Sequence, residues 1–189
     1  MIAVAATQPA FVGRDDDIER VRRAVNGHAR LVVVEGEPGV GKTRLIDEAL
    51  HRRDADPPLT VLRGTADRDA IRPLGAFVEA LADGVAAWPT VPASVRRHGD
   101  AVVSLFGSRP GCRAGSELSA FEVQDGLLAV LSSQLEQHGA LVLDDLHWAD
   151  AETFTALGRV ALSGLGCTVV VGARSDELPD GFFDVVEQI

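Results

Sequence analysis

Gly36-Glu37-Pro38-Gly39-Val40-Gly41-Lys42-Thr43 is the stretch that decides the fold of this chain. It satisfies G-x-x-x-x-G-K-[ST] at every fixed position. Each residue type has a chemical reason. Glycines let the backbone wrap a polyphosphate with its N–H groups pointing inward. A helix opening at Lys42 adds unsatisfied N–H groups and the positive end of its dipole. Lys42 would reach the β- and γ-phosphates, and the Thr43 hydroxyl would take a Mg²⁺ position. Glu37, Pro38 and Val40 in the loop and Arg44 on the helix are expected to contact the nucleotide with them. The motif requires a strand before and a helix after. Leu31-Val32-Val33-Val34-Glu35 reads as a buried strand, and residues 42–52 carry Leu45, Ile46, Ala49 and Leu50 at helical spacing.

Outward from the loop, apolar strands alternate with amphipathic helices. Asp15, Asp16 and Asp17, a stripe of Ile18, Val21, Ala24 and Val25, and Gly27 predict a helix over 15–26. Leu59 to Leu62 predicts a second strand. Pro73 suits the first turn of a helix through Ala87. Residues 88–116 hold scattered Pro and Gly around an apolar segment, 101–106, and predict an irregular insertion. A helix over 120–137, resting on Phe121, Leu127, Leu128, Leu131 and Leu135, precedes a third strand, 140–143. A helix over 151–163 and a fourth strand, 167–171, follow. Residues 180–189 fit a short helix or a strand equally. The alternation predicts an α/β fold, a P-loop core whose mostly parallel sheet has right-handed crossovers and helices on both faces. Residues 1–10 read as an N-terminal extension and 11–189 as the core.

A P-loop site needs an acid at the end of a neighbouring apolar strand, and Leu141-Val142-Leu143-Asp144-Asp145 supplies it. In a parallel sheet the C-terminal strand ends share one crevice. Asp144 would hold Mg²⁺ there, directly or through water. Asp145, one residue on, could orient or deprotonate an attacking water. The sequence order of the two motifs predicts an extra strand between the phosphate strand and the acid strand, which argues against simple nucleotide kinases.

With those residues in place, the sequence resembles the AAA-like ATPase domain of the STAND class of signal-transduction ATPases. It is most similar to the Orc-like ATPase module of large ATP-binding LuxR-type bacterial regulators. Four blocks carry the resemblance: Phe11-Val12-Gly13-Arg14-Asp15, the P-loop from Gly36 to Leu45, LVLDDLHWAD from Leu141 to Asp150, and Val169 to Arg174. The resemblance implies that Val12, Gly13 and Arg14 frame an adenine, and that ATP with Mg²⁺ is the ligand. It implies that Gly36, Gly39, Gly41, Lys42 and Thr43 hold phosphates and metal, and that Asp144 is the metal acid. Lys42, Asp145 and Arg174 would be catalytic, with Arg174 sensing the γ-phosphate. An Arg at a strand's C-terminal edge has the geometry to fork onto phosphate oxygens. Beyond the sensor strand the family continues with a lid, a winged helix and often a helix-turn-helix. The chain is expected to hold the core without them. His147 and Trp148 read as partly buried packing residues, with closure of the nucleotide side or of a domain interface as the alternative.

The bulk numbers narrow the partners. The formal net charge is −10, unfavourable for non-specific binding to nucleic acid or anionic membrane. No apolar stretch suits a transmembrane helix and the N-terminus lacks a signal-peptide pattern, so a cytoplasmic protein is expected. Cys112 and Cys167 read as unpaired thiols. Of 18 basic residues, Lys42 is the only lysine. Two functions follow as expectations: an ATP-hydrolysing switch, or a nucleotide-binding module that regulates by occupancy through partner docking. ATP or ADP, a protein partner or downstream domains, and nucleotide-dependent oligomers are the expected partners. No membrane and no direct nucleic-acid contact are expected.

Overall fold

The structure, a computed structural model, describes residues 13–51, 59–69, 72–108, 110, 112, 117–135, 139–174 and 178. Helix α1 (Asp15–Asn26) opens with three acids in its first turn, which complement the positive end of its dipole, and buries Ile18, Val21 and Val25. Strand β1 (Leu31–Glu35) leads through the Gly-rich loop into α2 (Lys42–His51). Strand β2 (Thr60–Thr65), helices α3 (Gly75–Ala86), α4 (Ala93–Arg96), α5 (Gly99–Phe106) and α6 (Ala120–Gln134), and strand β3 (Gly139–Asp144) follow. A single 3-10 turn, Leu146–Trp148, precedes α7 (Ala151–Leu162) and strand β4 (Cys167–Ala173).

The four strands form one parallel sheet in the order β1-β4-β3-β2. From β1 at one edge the chain crosses to β2 at the other, then returns through β3 and β4. The inserted strand expected between the phosphate strand and the acid strand is β4. Alternation along the central strands sorts the core into two layers. Val142 and Val170 face α1 and α2, packing with Ile18, Leu45, Ile46 and Ala49. Leu141, Leu143, Val169 and Val171 face the opposite layer, where Phe77, Leu81, Leu127, Leu131 and Leu157 are fully or almost fully buried. Helices therefore cover both faces, and β3 is buried along its whole length.

Several boundaries differ from the sequence reading for local physical reasons. β2 runs three residues beyond Leu62, because Arg63, Gly64 and Thr65 pair with Val142, Leu143 and Asp144. Gly64 permits this: a Cβ there would collide with the Ala76 carbonyl on α3. Helix α3 starts at Gly75, after Pro73, because Leu74 takes a left-handed conformation (φ 58°) that seats its side chain in the core. Phe121 faces outward, 63% exposed, with the Arg159 guanidinium 4.4 Å above its ring. An unread capping box, Ser119 with Glu122, fixes the start of α6. Residues 88–116, read as irregular, carry α4 and α5. α5 seats Ala101 against Gly126 of α6, where a Cβ would leave no room. Asp150, the last residue of the LHWAD stretch, is the N-cap of α7 and accepts from the Thr153 N–H at 2.9 Å. The extension 1–10, Val12 and the 180–189 segment lie outside the described residues.

Gly64→Ala should force α3 off β2. Overpacking of this kind costs about 1–3 kcal/mol, or roughly 2–12 °C in melting temperature for a chain of this size. An unchanged melting curve would mean that α3 does not sit on β2 as described.

Candidate functional site

The Gly-rich loop stands at the C-terminal end of β1, where the parallel strands open into a common crevice. Gly39 (φ 74°) and Gly41 (φ 88°) occupy the left-handed region that side chains rarely adopt. The Val40 N–H reaches the Glu37 carbonyl at 3.3 Å and closes the turn. The first α2 bond runs from the Leu45 N–H to the Gly41 carbonyl at 2.9 Å, which leaves the N–H groups of the preceding turn outside the helix's own hydrogen bonding. Glu37, Pro38, Gly39, Val40 and Thr43 are exposed, while Lys42 is 8% exposed. The Lys42 ammonium donates to the carbonyls of Gly36 (2.8 Å) and Glu37 (3.2 Å), so the aliphatic stem is buried and the charge lies beneath the loop. Arg44, in the first turn of α2, is half-buried.

The acid expected to hold metal meets this loop directly. Thr43 donates its hydroxyl to Asp144 Oδ2 at 2.5 Å, joining residues 101 apart in sequence. Asp144 is 4% exposed. Its other oxygen, Oδ1, accepts from the Asp145 N–H at 2.9 Å. Both oxygens are thus held, as a buried carboxylate requires. β4 runs between β1 and β3, and its Gly172 makes the approach possible: a Cβ at that position would collide with the Asp144 carboxylate. Gly172 lies within the Val169–Arg174 block, where no role was expected of it. A glycine interrupting the β-branched run Val169–Val171 was the available signal.

Asp145 departs from the strand in a left-handed conformation, φ 50° and ψ 37°. Asp tolerates that region better than most residues with a side chain. This turns the chain sharply so that the Asp145 carbonyl accepts from the Trp148 N–H at 2.9 Å and opens the 3-10 turn. Arg174 immediately follows β4, and its guanidinium carbon lies 5.5 Å from the centroid of a Trp148 ring. Of the N-terminal block, Gly13 (φ 95°) and Arg14 are described. Arg14 donates to the Val40 carbonyl at 3.4 Å, which ties the start of α1 to the Gly-rich loop. The structure therefore brings Lys42, Thr43, Asp144 and Asp145 to one strand edge and ties Arg14 to the same loop, with Arg174 at the end of the strand between the two motifs.

A second cleft, about 350 Å³, lies beyond the end of β2 and is bounded by Thr65, Asp67, Arg72, Glu79, Trp148 and Asp150. Cys112 and Cys167 are free thiols, and burial pushes the pKa of both up, so neither is primed as a thiolate. Among the described residues no helix is long and apolar enough to cross a membrane.

Comparison with known proteins adds a family. No curated protein sequence matches the chain. Among solved structures, a chain from the structure of Drosophila ORC bound to AT-rich DNA and Cdc6 is similar at 15% identity with a TM-score of 0.40. That match covers 93% of this chain and 59% of the other, so this chain spans about three fifths of its length. The AAA ATPase domain family matches residues 10–174, a span that contains the Gly-rich loop, the acid strand and Arg174. The chain belongs to the AAA ATPase domain family.

Proposed function

We propose that this chain binds MgATP between the Gly-rich loop and the Asp144 edge and hydrolyses it to ADP and phosphate, acting as the nucleotide switch of a larger signalling or transcription-regulatory protein. The observation that carries the reading is the Thr43–Asp144 hydrogen bond across Gly172. It joins the two halves of a phosphate-and-metal site on a chain of the AAA ATPase domain family. One hydroxyl and one carboxylate suit Mg²⁺, which is commonly held by few protein ligands and completes its shell with phosphate oxygens and water. Thr43 and Asp144 would hold Mg²⁺, which would supply positive charge against the charge that develops on the phosphates.

The residues divide the remaining work. The loop N–H groups and the start of α2 receive the phosphates. Lys42 exchanges its two carbonyl acceptors for phosphate oxygens, which form the stronger charge-assisted bonds. Asp145 orients a water in line with the γ-phosphorus. The water oxygen bonds to phosphorus as the bond to the β–γ bridging oxygen breaks, and that electron pair leaves with ADP. One water proton stays on the phosphate, and the other leaves through the Asp145 carboxylate. Arg174 offers its guanidinium to the γ-phosphate, while Gly13 and Arg14, with Val12, frame the base.

The finer reading rests on the LVLDDLHWAD block and on the Gly-Arg opening at Gly13-Arg14. Both support a STAND-class module of a LuxR-type bacterial regulator. Such a switch would work in the cytoplasm, pass its nucleotide state to downstream domains or a protein partner, and assemble differently with ATP and ADP. The chain's net charge of −10 supports leaving DNA contact to other modules.

Lys42→Ala should weaken MgATP binding by about 10- to 100-fold, the worth of charge-assisted hydrogen bonds, as measured by titration calorimetry. Lys42→Arg should also be impaired, because a planar guanidinium fits poorly in a pocket shaped for an ammonium. Undiminished affinity in both would remove the phosphate assignment. Asp145→Asn should keep MgATP affinity and lose phosphate release by about 100-fold or more. Asn accepts the left-handed backbone, so the fold is preserved. Equal phosphate release at background in wild type and variant, with binding intact, would leave nucleotide binding and rule out hydrolysis. Gly172→Ala should displace the Asp144 carboxylate. Nucleotide affinity should then lose its dependence on Mg²⁺; a preserved dependence would show that Asp144 is not the metal acid.

A further inference from the structure

The 3-10 turn after Asp145 carries an aromatic group that the hydrolytic reading leaves unused. Leu146 anchors the turn, fully buried. The Trp148 N–H is bonded to the Asp145 carbonyl at 2.9 Å, and the Ala149 N–H to the Leu146 carbonyl at 2.9 Å. The Trp148 main chain is therefore fixed relative to Asp145, and its indole packs against His147 at 4.7 Å between ring centroids. Two guanidinium groups lie on this one side chain. The Arg174 carbon is 5.5 Å from a ring centroid and the Arg68 carbon 4.9 Å. Arg174 comes from the end of β4 and Arg68 from the segment after β2, strands separated in the sheet by β3.

We propose that Trp148 is a positioning residue, whose indole sets the Arg174 guanidinium at the crevice edge and, by holding Arg68 as well, ties that arginine to the segment after β2. The proposal rests on the reading of Arg174 as the γ-phosphate contact. A ring face attracts a guanidinium through its quadrupole and restricts where the fork can point. A flexible arginine is thereby pre-oriented, so less freedom is lost when a phosphate oxygen arrives. Because the same short turn fixes Asp145 and Trp148, the water-orienting acid and the platform for the arginine move together.

The test uses Trp148→Leu, which keeps an apolar side chain and removes the ring face, and Trp148→Phe, which keeps a ring. Trp148→Leu should lower kcat by about tenfold with KM changed less than about twofold, and Trp148→Phe should recover most of the loss. Trp148→Leu combined with Arg174→Ala should be no slower than Arg174→Ala alone. Wild-type kcat in Trp148→Leu, failure of Phe to rescue, or additive losses would overturn the proposal. A second readout does not depend on turnover. The chain has two tryptophans, so a Trp88→Phe background reports Trp148 alone. There, MgATP should change the indole emission more than MgADP, and Arg174→Ala should shift the emission and abolish that difference. Emission indifferent to both nucleotide and Arg174→Ala would overturn the proposal even where phosphate release is normal. Absence of phosphate release from wild type, with the emission difference intact, would count against hydrolysis and leave Trp148 in its role.

Discussion

The hydrogen bond from Thr43 to Asp144 is the constraint on which the rest of the arrangement depends. It joins a helix start on one side of β4 to a strand end on the other. For it to form, the intervening strand must present no side chain at that level, and Gly172 meets the requirement. The carboxylate is nearly buried, so both of its oxygens must be satisfied, and they are, by one hydroxyl and one backbone N–H. The left-handed turn at Asp145 places that N–H. A sequence feature that looks like an ordinary acidic strand end is thus a fitted part, with a neighbouring glycine and an unusual backbone angle serving one carboxylate.

The two core layers hold this geometry from either side. α2 can present Lys42 and Thr43 at the crevice because Leu45, Ile46 and Ala49 lock it onto Val142 and Val170. Val142 and Val170 belong to the acid strand and to the strand bearing Gly172. The packing that seats the phosphate helix is therefore the packing of the strands it must address. On the other face, α3, α6 and α7 press Leu141, Leu143, Val169 and Val171. Central strands gripped from both sides have little freedom to slide, because a shift of one residue would exchange their two apolar faces. The site inherits its precision from the register of β3 and β4.

Much of the fold was legible because its signals are periodic and local. The Gly-rich loop, the strand before it and the helix after it are adjacent in sequence, and all four strands and the five longest helices announced themselves by spacing. The misread places are those where tertiary contact decides. Pro73 is a sound helix opener by local rules, and the burial of Leu74 delayed the helix by two residues. Phe121 fits the inward stripe of α6 by spacing, yet it lies outside with Arg159 on its ring. β2 extends past its apolar run because Gly64 fits under α3, which no window around residue 64 reveals. Within the site, Lys42, Thr43 and Asp144 were readable from motif chemistry. The fit of Gly172 beside Asp144 was not, because it depends on a neighbour across the sheet.

The two ends of the Thr43–Asp144 bond are 101 residues apart, and this separation has a consequence for the protein's birth on the ribosome. The phosphate loop leaves the exit tunnel early, with its lone lysine, while the carboxylate that completes it is still to be made. At about 5–20 residues per second, several seconds pass between the two. In that interval the nascent chain has its Gly-rich loop and lacks the Asp144 carboxylate that pairs with it. The Thr43–Asp144 pairing therefore arrives in a single late step, when β3 and β4 enter the sheet and Gly172 takes its place beside Asp144.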